Sequence, residues 1–166
     1  MEQTERPIPA GTRIGHVHLK VSDLERSIAW YRDVLGFELT TRYGAQAAFL
    51  SAGGYHHHIG LNTWESADGP PPPPGTTGLF HLAVLYDTRE ELAQAVRRLM
   101  RHQVQLDGAS DHGVSEAIYL RDPDENGIEL YWDRPREEWP HDEQGQVTMY
   151  THRLNLRELL ALPEPV

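Results

Sequence analysis

The sequence repeats itself. Ile14-Gly15-His16-Val17-His18-Leu19-Lys20-Val21 runs into Ser22-Asp23-Leu24-Glu25-Arg26, and Leu79-Phe80-His81-Leu82-Ala83-Val84-Leu85-Tyr86 runs into Asp87-Thr88-Arg89-Glu90-Glu91-Leu92. Each is a short strand-like run that opens on a histidine and leads into a helix-like run. His16 and His81 lie 65 residues apart. A duplicated module is the simplest reading, and it pairs positions across a pseudo-twofold axis. Further along, Ala48-Phe49-Leu50 aligns with Ile118-Tyr119-Leu120, and ten residues beyond Phe49 and Tyr119 stand Ile59 and Glu129. Four related positions follow: His16, Ile59, His81 and Glu129. Three of these side chains can bind a metal and one cannot.

Local patterning makes each half βαβββ. Val17, Leu19 and Val21 alternate with His16, His18 and Lys20, the period of a half-buried strand. Ser22 with Glu25 reads as a capping box; Leu24, Ile28, Tyr31 and Leu35 then recur at helical spacing until Gly36. Thr88 with Glu91 repeats the device before Leu92, Val96 and Leu99. Strands are expected near 37–43, 46–52 and 56–62 in the first half, and near 104–107, 113–121 and 127–132 in the second, with a turn at Asp122–Gly127. The fold class is therefore α+β: two βαβββ modules paired around a central metal-binding cleft. Module one covers about 13–64 and module two about 78–133 of a single domain, 1–166. The linker, 65–77, holds the polyproline run Pro70–Pro74. The charged tail, 134–166, has two readings of equal weight: Leu154, Leu159, Leu160 and Leu162 mark a short amphipathic helix that docks on the body or on a second subunit, or the tail is a loosely held terminus.

At 166 residues the chain can bury one core without staples. Its formal net charge of -10 argues against nucleic acid and anionic membrane as partners. Zero cysteines exclude disulfides and thiolate ligands. Met1 to Thr12 is polar and no run approaches ~20 apolar residues, so a cytoplasmic protein is expected.

Two imidazoles and one carboxylate from different strands match the facial triad of non-haem iron enzymes, which leaves positions for a substrate and dioxygen. Glu129, between Ile128 and Leu130, would be costly to bury without a cation. Ile59 at the fourth position keeps the face open. His18 shares a face with His16 and competes as a ligand. Parity with Ile59 puts His57 inward and His56 and His58 outward, unless a bulge turns His58 in to make a four-ligand site. Tyr119 faces inward and can hydrogen-bond an ionised substrate oxygen, while His112 lies where it can cap the pocket.

Gly15-His16-Val17-His18-Leu19-Lys20-Val21-Ser22-Asp23-Leu24-Glu25-Arg26-Ser27, Trp30-Tyr31 and Leu35-Gly36-Phe37 resemble the opening of the vicinal oxygen chelate superfamily: glyoxalase I, bleomycin-resistance proteins and extradiol dioxygenases. Asp122-Pro123-Asp124-Glu125-Asn126-Gly127-Ile128-Glu129-Leu130 resembles its closing signature. Residues 49–64 and 107–119 look most like catechol-2,3-dioxygenase-type sequences. That resemblance implies Fe(II), with Mn(II) or another divalent metal as substitute, held by His16, His81 and Glu129. It implies His57 as acid/base and Tyr119 and His112 as substrate contacts. A catechol-like aromatic and dioxygen are the implied substrates. Many such dioxygenases have two of these domains, and this chain has one. A glyoxalase-like lyase or isomerase, and a non-catalytic sequestering protein of the bleomycin-resistance kind, are the alternatives. Exposed edges on paired modules are compatible with a homodimer.

Overall fold

The computed structural model describes residues 6–165; the first five residues of the polar N-terminal stretch, and Val166 of the tail, lie outside the described residues. Both halves are βαβββ. Module one contains β1 (Val17–Lys20), α1 (Leu24–Trp30) continued by a π-helical turn (Tyr31–Leu35), β2 (Glu38–Tyr43), β3 (Ala47–Ser51) and β4 (Ile59–Asn62). Module two contains β5 (Leu82–Tyr86), α2 (Arg89–Arg101), β6 (Leu106–Asp111), β7 (Ser115–Arg121) and β8 (Gly127–Asp133). In the tail follow a 3-10 turn (Arg136–Glu138), β9 (His152–Arg153) and α3 (Leu156–Leu160). The sheets run β1-β4-β3-β2 and β5-β8-β7-β6-β9, each with its first two strands parallel.

One face of each sheet is apolar and carries the helices. Leu19, Ala48, Leu50, Ile59 and Leu61 of the first sheet join Leu82, Ile118, Leu120, Ile128 and Leu130 of the second in one core with Ile28, Tyr31, Leu92, Val96 and Leu99. The modules meet on this side. Asp122 and Asp124, in the turn before β8, are buried and receive the first module's polar groups: Tyr31 Oη donates to Asp122 Oδ2 at 2.9 Å, and Ser22 Oγ and Arg26 Nη2 donate to Asp124 Oδ1 at 2.6 and 2.5 Å. A buried carboxylate needs such partners.

Several local expectations are corrected. Ser22 does not cap α1: Asp23 does, its Oδ1 accepting from Arg26 N at 3.0 Å, because Ser22 is turned to Asp124. The Thr88–Glu91 capping box is present at α2. As expected, α1 with its π-helical turn ends at Gly36, whose φ of 89° is costly for any residue with a Cβ. The strand expected at 104–107 is β6 at 106–111, irregular between Leu106 and Gly108. The strand expected at 56–62 begins only at Ile59, since Gly53 and Gly54 turn the chain with φ of 63° and 75°. The tail is built into the second module: β9 extends its sheet, and α3 packs on α2 with Leu154 and Leu159 buried. Among the described residues no helix is long and apolar enough to cross a membrane.

Candidate functional site

The face of each sheet opposite the helices carries the candidate site residues. In module two the strand register aligns Ala83, Glu129, Tyr119 and Gly108 across β5, β8, β7 and β6. Glu129 is at the centre of this row. Its Oε2 lies 2.9 Å from His81 Nε2, and its Oε1 accepts from Tyr119 Oη at 3.0 Å. Tyr119 Oη lies 2.7 Å from His112 Nε2, and His112 Nδ1 lies 2.9 Å from the Tyr150 carbonyl oxygen. His81, Glu129, Tyr119 and His112 thus form one hydrogen-bonded chain, walled by Leu85 and Tyr131 in the next row.

Sequence explains the close packing around His81. A Cβ at Gly127 would stand 2.1 Å from Phe80 O and 3.0 Å from His81 Cβ, so only glycine lets β8 start against the histidine. The Glu129 side chain is 13% exposed, and His81 Nδ1 is buried with no partner among the described residues. Burial, reinforced by the charge and hydrogen bond of Glu129, raises the Tyr119 phenol well above its ordinary pKa. It stays protonated at neutral pH.

In module one the corresponding row is His18, Gly60, Phe49 and Thr41. Glu129 pairs with Tyr119, and Gly60 pairs with Phe49. The repeat-related partner of Glu129 is therefore Gly60, and the assignment of Ile59 to that position is corrected. Leu50 pairs with Ile59, whereas Leu120 pairs with Ile128, so the first β3–β4 connection is one residue longer than its counterpart. That residue shifts the parity. Ile59 consequently sits in the core at 2% exposure.

The irregular stretch before β4 decides the histidine cluster. The His57 ring lies 4.4 Å from that of His16 and 4.9 Å from Phe49, on the open face. His56 Nδ1 is 2.7 Å from His57 Nδ1, so one of the pair donates to the other. His58 is held elsewhere: its Nδ1 is 3.1 Å from Ser51 Oγ and 3.3 Å from Ala52 N, with Phe37 and Tyr55 against the ring. His18 packs between Phe49 and Trp64, over the space that the Gly60 Cβ would need. Burial first, and then His16, His56, His18 and His58, lower the proton affinity of His57 below that of a free imidazole.

The structure does not bring all the expected metal ligands together. His81 and Glu129 converge on the second sheet, while His16 stands on the first, and no cluster of three or more His, Asp or Glu able to hold a metal ion forms among the described residues. The donors that do meet, one imidazole and one carboxylate, are ligand types that suit a divalent transition metal, and His81 Nδ1 has no partner among the described residues. The sequence reading did not anticipate the Tyr150 carbonyl, the Asp122–Asp124 joint or Gly60. Gly60 alone carried a signal, the unequal spacing of the two β3–β4 connections.

Comparison with known proteins agrees with this architecture. Residues 13–130 match the sequence profile of the Glyoxalase/Bleomycin resistance protein/Dioxygenase superfamily. The chain is 42% identical over 149 residues to a catechol-2,3-dioxygenase of Bacillus subtilis (strain 168), covering 90% of this chain and 51% of the relative. It is 31% identical to a biphenyl-2,3-diol 1,2-dioxygenase of Rhodococcus globerulus, covering 73% of this chain and 63% of that one. It spans less than two thirds of either. Among solved structures, lactoylglutathione lyase from Agrobacterium tumefaciens superposes with a TM-score of 0.58 at 24% identity, covering 75% of this chain and 96% of that one, a likeness of fold.

Proposed function

This chain belongs to the Glyoxalase/Bleomycin resistance protein/Dioxygenase superfamily, and we propose that within it the protein is an Fe(II)-dependent extradiol dioxygenase that opens a catechol-like ring with dioxygen. The observation that carries the reading is the chain from His81 through Glu129 and Tyr119 to His112 on an open sheet face. Likeness to two diol-cleaving dioxygenases supports it.

His16, His81 and Glu129 would hold the iron, or Mn(II) in its place. Bound there, the metal would supply Lewis acidity toward a diol and redox chemistry toward dioxygen. The rest falls to side chains. His57, kept neutral by its surroundings, takes the proton of a diol hydroxyl and returns it to the product. Tyr119, kept protonated, holds its one proton toward His112 until it turns it to the ionised substrate oxygen. Leu85 and Tyr131 offer apolar surface to the ring. Cleavage beside the diol gives a ring-opened semialdehyde containing both atoms of dioxygen.

His16 and His57 lie on the open face of module one and the remaining groups on that of module two, while within the chain the modules are joined by their helix sides. A homodimer in which the first module of one copy faces the second module of the other completes the ligand set. His58, fixed by Ser51, is turned away from a fourth ligand position, which favours ring cleavage over a glyoxalase-type isomerisation.

Anaerobic loading with Fe(II), followed by oxygen uptake with catechol, tests the reading. Uptake matched mole for mole by a coloured ring-opened product is expected. Bound iron with no uptake across a panel of catechols would reject the dioxygenase assignment.

A further inference from the structure

The C-terminal segment enters the candidate site through its backbone. After Trp139 the chain turns around Asp142, whose Oδ1 accepts from Gln144 N and Gln146 N at 2.9 and 2.8 Å, and Thr148 N returns to Pro140 O at 2.9 Å. It then runs beside β6. Tyr150 N donates to His112 O at 3.3 Å, His152 and Arg153 pair with Asp111 and Ser110, and Leu154 N donates to Ala109 O at 3.2 Å. Both ends of this strap are fixed. Trp139 Nε1 donates to Arg134 O at 2.9 Å at one end; at the other Leu154 and Leu159 are buried, and Arg97 donates to the Leu160 and Leu162 carbonyls.

At His112 the strap meets the imidazole itself. A carbonyl oxygen only accepts, so the 2.9 Å contact between His112 Nδ1 and Tyr150 O puts a proton on Nδ1, and the Thr151 hydroxyl, farther off at 3.3 Å from the same nitrogen, then accepts as well. In the neutral ring Nε2 is then bare, and it faces Tyr119. The phenol has one proton and two acceptors in reach, His112 Nε2 at 2.7 Å and Glu129 Oε1 at 3.0 Å.

We propose that the Tyr150 main-chain carbonyl is a positioning group: it fixes His112 in the Nδ1–H tautomer, draws the Tyr119 proton toward His112, and leaves a Glu129 lone pair free for a cation. The inference rests on the placement of His112, Tyr119 and Glu129 in the site proposed above. Without the strap the ring is free to present Nε2–H to Tyr119, whose own proton is then committed to Glu129. The tail thereby acts on a carboxylate it does not touch.

Gly113 lets the strap come this close. Its φ is 81°, and a Cβ there would stand 2.7 Å from Tyr150 Cε1 and 2.9 Å from Pro140 Cγ. Both neighbours are ring side chains of the strap, and that of Tyr150 is stacked on His152 at 4.3 Å, so Gly113→Ala pushes the strap as a unit away from His112.

Ring-nitrogen NMR of the full-length, metal-free protein labelled with 15N-histidine tests this, recorded above pH ~8 so that imidazoles of ordinary pKa are neutral. The His112 signals are the pair lost in His112→Asn. A protonated Nδ1 and a bare Nε2 are expected in the parent and also in Tyr119→Phe, because the carbonyl and not the phenol sets the tautomer. In Gly113→Ala the two signals should collapse toward the average of exchanging tautomers. An Nε2–H ring in the parent, a tautomer that reverses in Tyr119→Phe, or an undisturbed Nδ1–H ring in folded Gly113→Ala would each overturn the proposal. The first two comparisons leave the strap unaltered and decide the matter even if Gly113→Ala does not fold. None needs turnover, so a failed oxygen-uptake assay would remove the dioxygenase reading without touching this one.

Discussion

Tyr31 and Asp122 join the two modules through one buried hydrogen bond, the phenol donating to Oδ2 at 2.9 Å with both residues almost wholly out of solvent. Tyr31→Phe removes the donor and keeps the ring. Asp122 retains Asp124 N, Asn126 N and Asn126 Nδ2, each at 2.9 Å, so the loss should stay near the cost of one under-satisfied buried acceptor, about 1–3 kcal/mol by denaturant unfolding.

The same bond sets a pH dependence. Burial first, then Asp122 and Asp124, push the Tyr31 pKa well above the ordinary value. A group whose folded pKa is raised stabilises the fold below its unfolded pKa, about 10 for tyrosine, and that contribution is lost as pH rises beyond it. Stability of the parent should fall more steeply above pH ~10 than that of Tyr31→Phe. Parallel curves for the two proteins would remove Tyr31 as the cause.

Glu129→Ala should lose iron while folding normally, since it removes the carboxylate between His81 and Tyr119. Metal analysis after anaerobic loading reads this directly. Stoichiometric iron in the variant would take Glu129 out of the ligand set.

His57→Ala should bind iron as the parent does and lose turnover by roughly 10²–10⁴-fold, the usual weight of a general acid or base. Turnover at the parent rate would exclude His57 from proton transfer.

Two dead variants should rescue one another if the site is shared between copies. His16→Ala and Glu129→Ala, co-expressed, should recover about a quarter of the parent iron sites, because half of randomly paired dimers are mixed and each holds one intact site. No recovery, together with a monomer by light scattering, would mean that each site is built within one chain.

Gly127→Ala introduces a Cβ against the Phe80 carbonyl, where backbone rather than a flexible side chain must move. A loss of about 1–3 kcal/mol in stability is expected, as for overpacking generally, with weaker iron retention because His81 is displaced. Unchanged iron affinity would show that His81 tolerates the shift.

What the sequence disclosed follows from which forces act locally. The repeat, the alternation in β1 and the helical spacing of Leu92, Val96 and Leu99 reflect burial on one face, so both modules were legible. His81, Glu129, Tyr119 and His112 were nominated from spacing and resemblance, and the structure places them in contact. Ile59 was misplaced because parity counts residues, and one additional residue before β4 reverses every facing position after it. Ser22 was misread as a cap because Asp124, which claims its hydroxyl, is distant in sequence. Tyr150 left no trace, since a main-chain carbonyl has no sequence signature. The separation of His16 from His81 and Glu129 is likewise a matter of how whole modules dock, which no short pattern encodes.

Gly60 stands where the second module has Glu129, and the His18 ring fills the room a side chain there would need, 2.9 Å from the missing Cβ. Adding a second carboxylate to this protein is therefore not one substitution away. Glutamate at position 60 meets the imidazole unless His18 shrinks first, and shrinking His18 alone leaves a gap beside Phe49 and Trp64. The two changes help only together. Positions 18 and 60 are therefore coupled: a side chain gained at one takes the room of the side chain at the other.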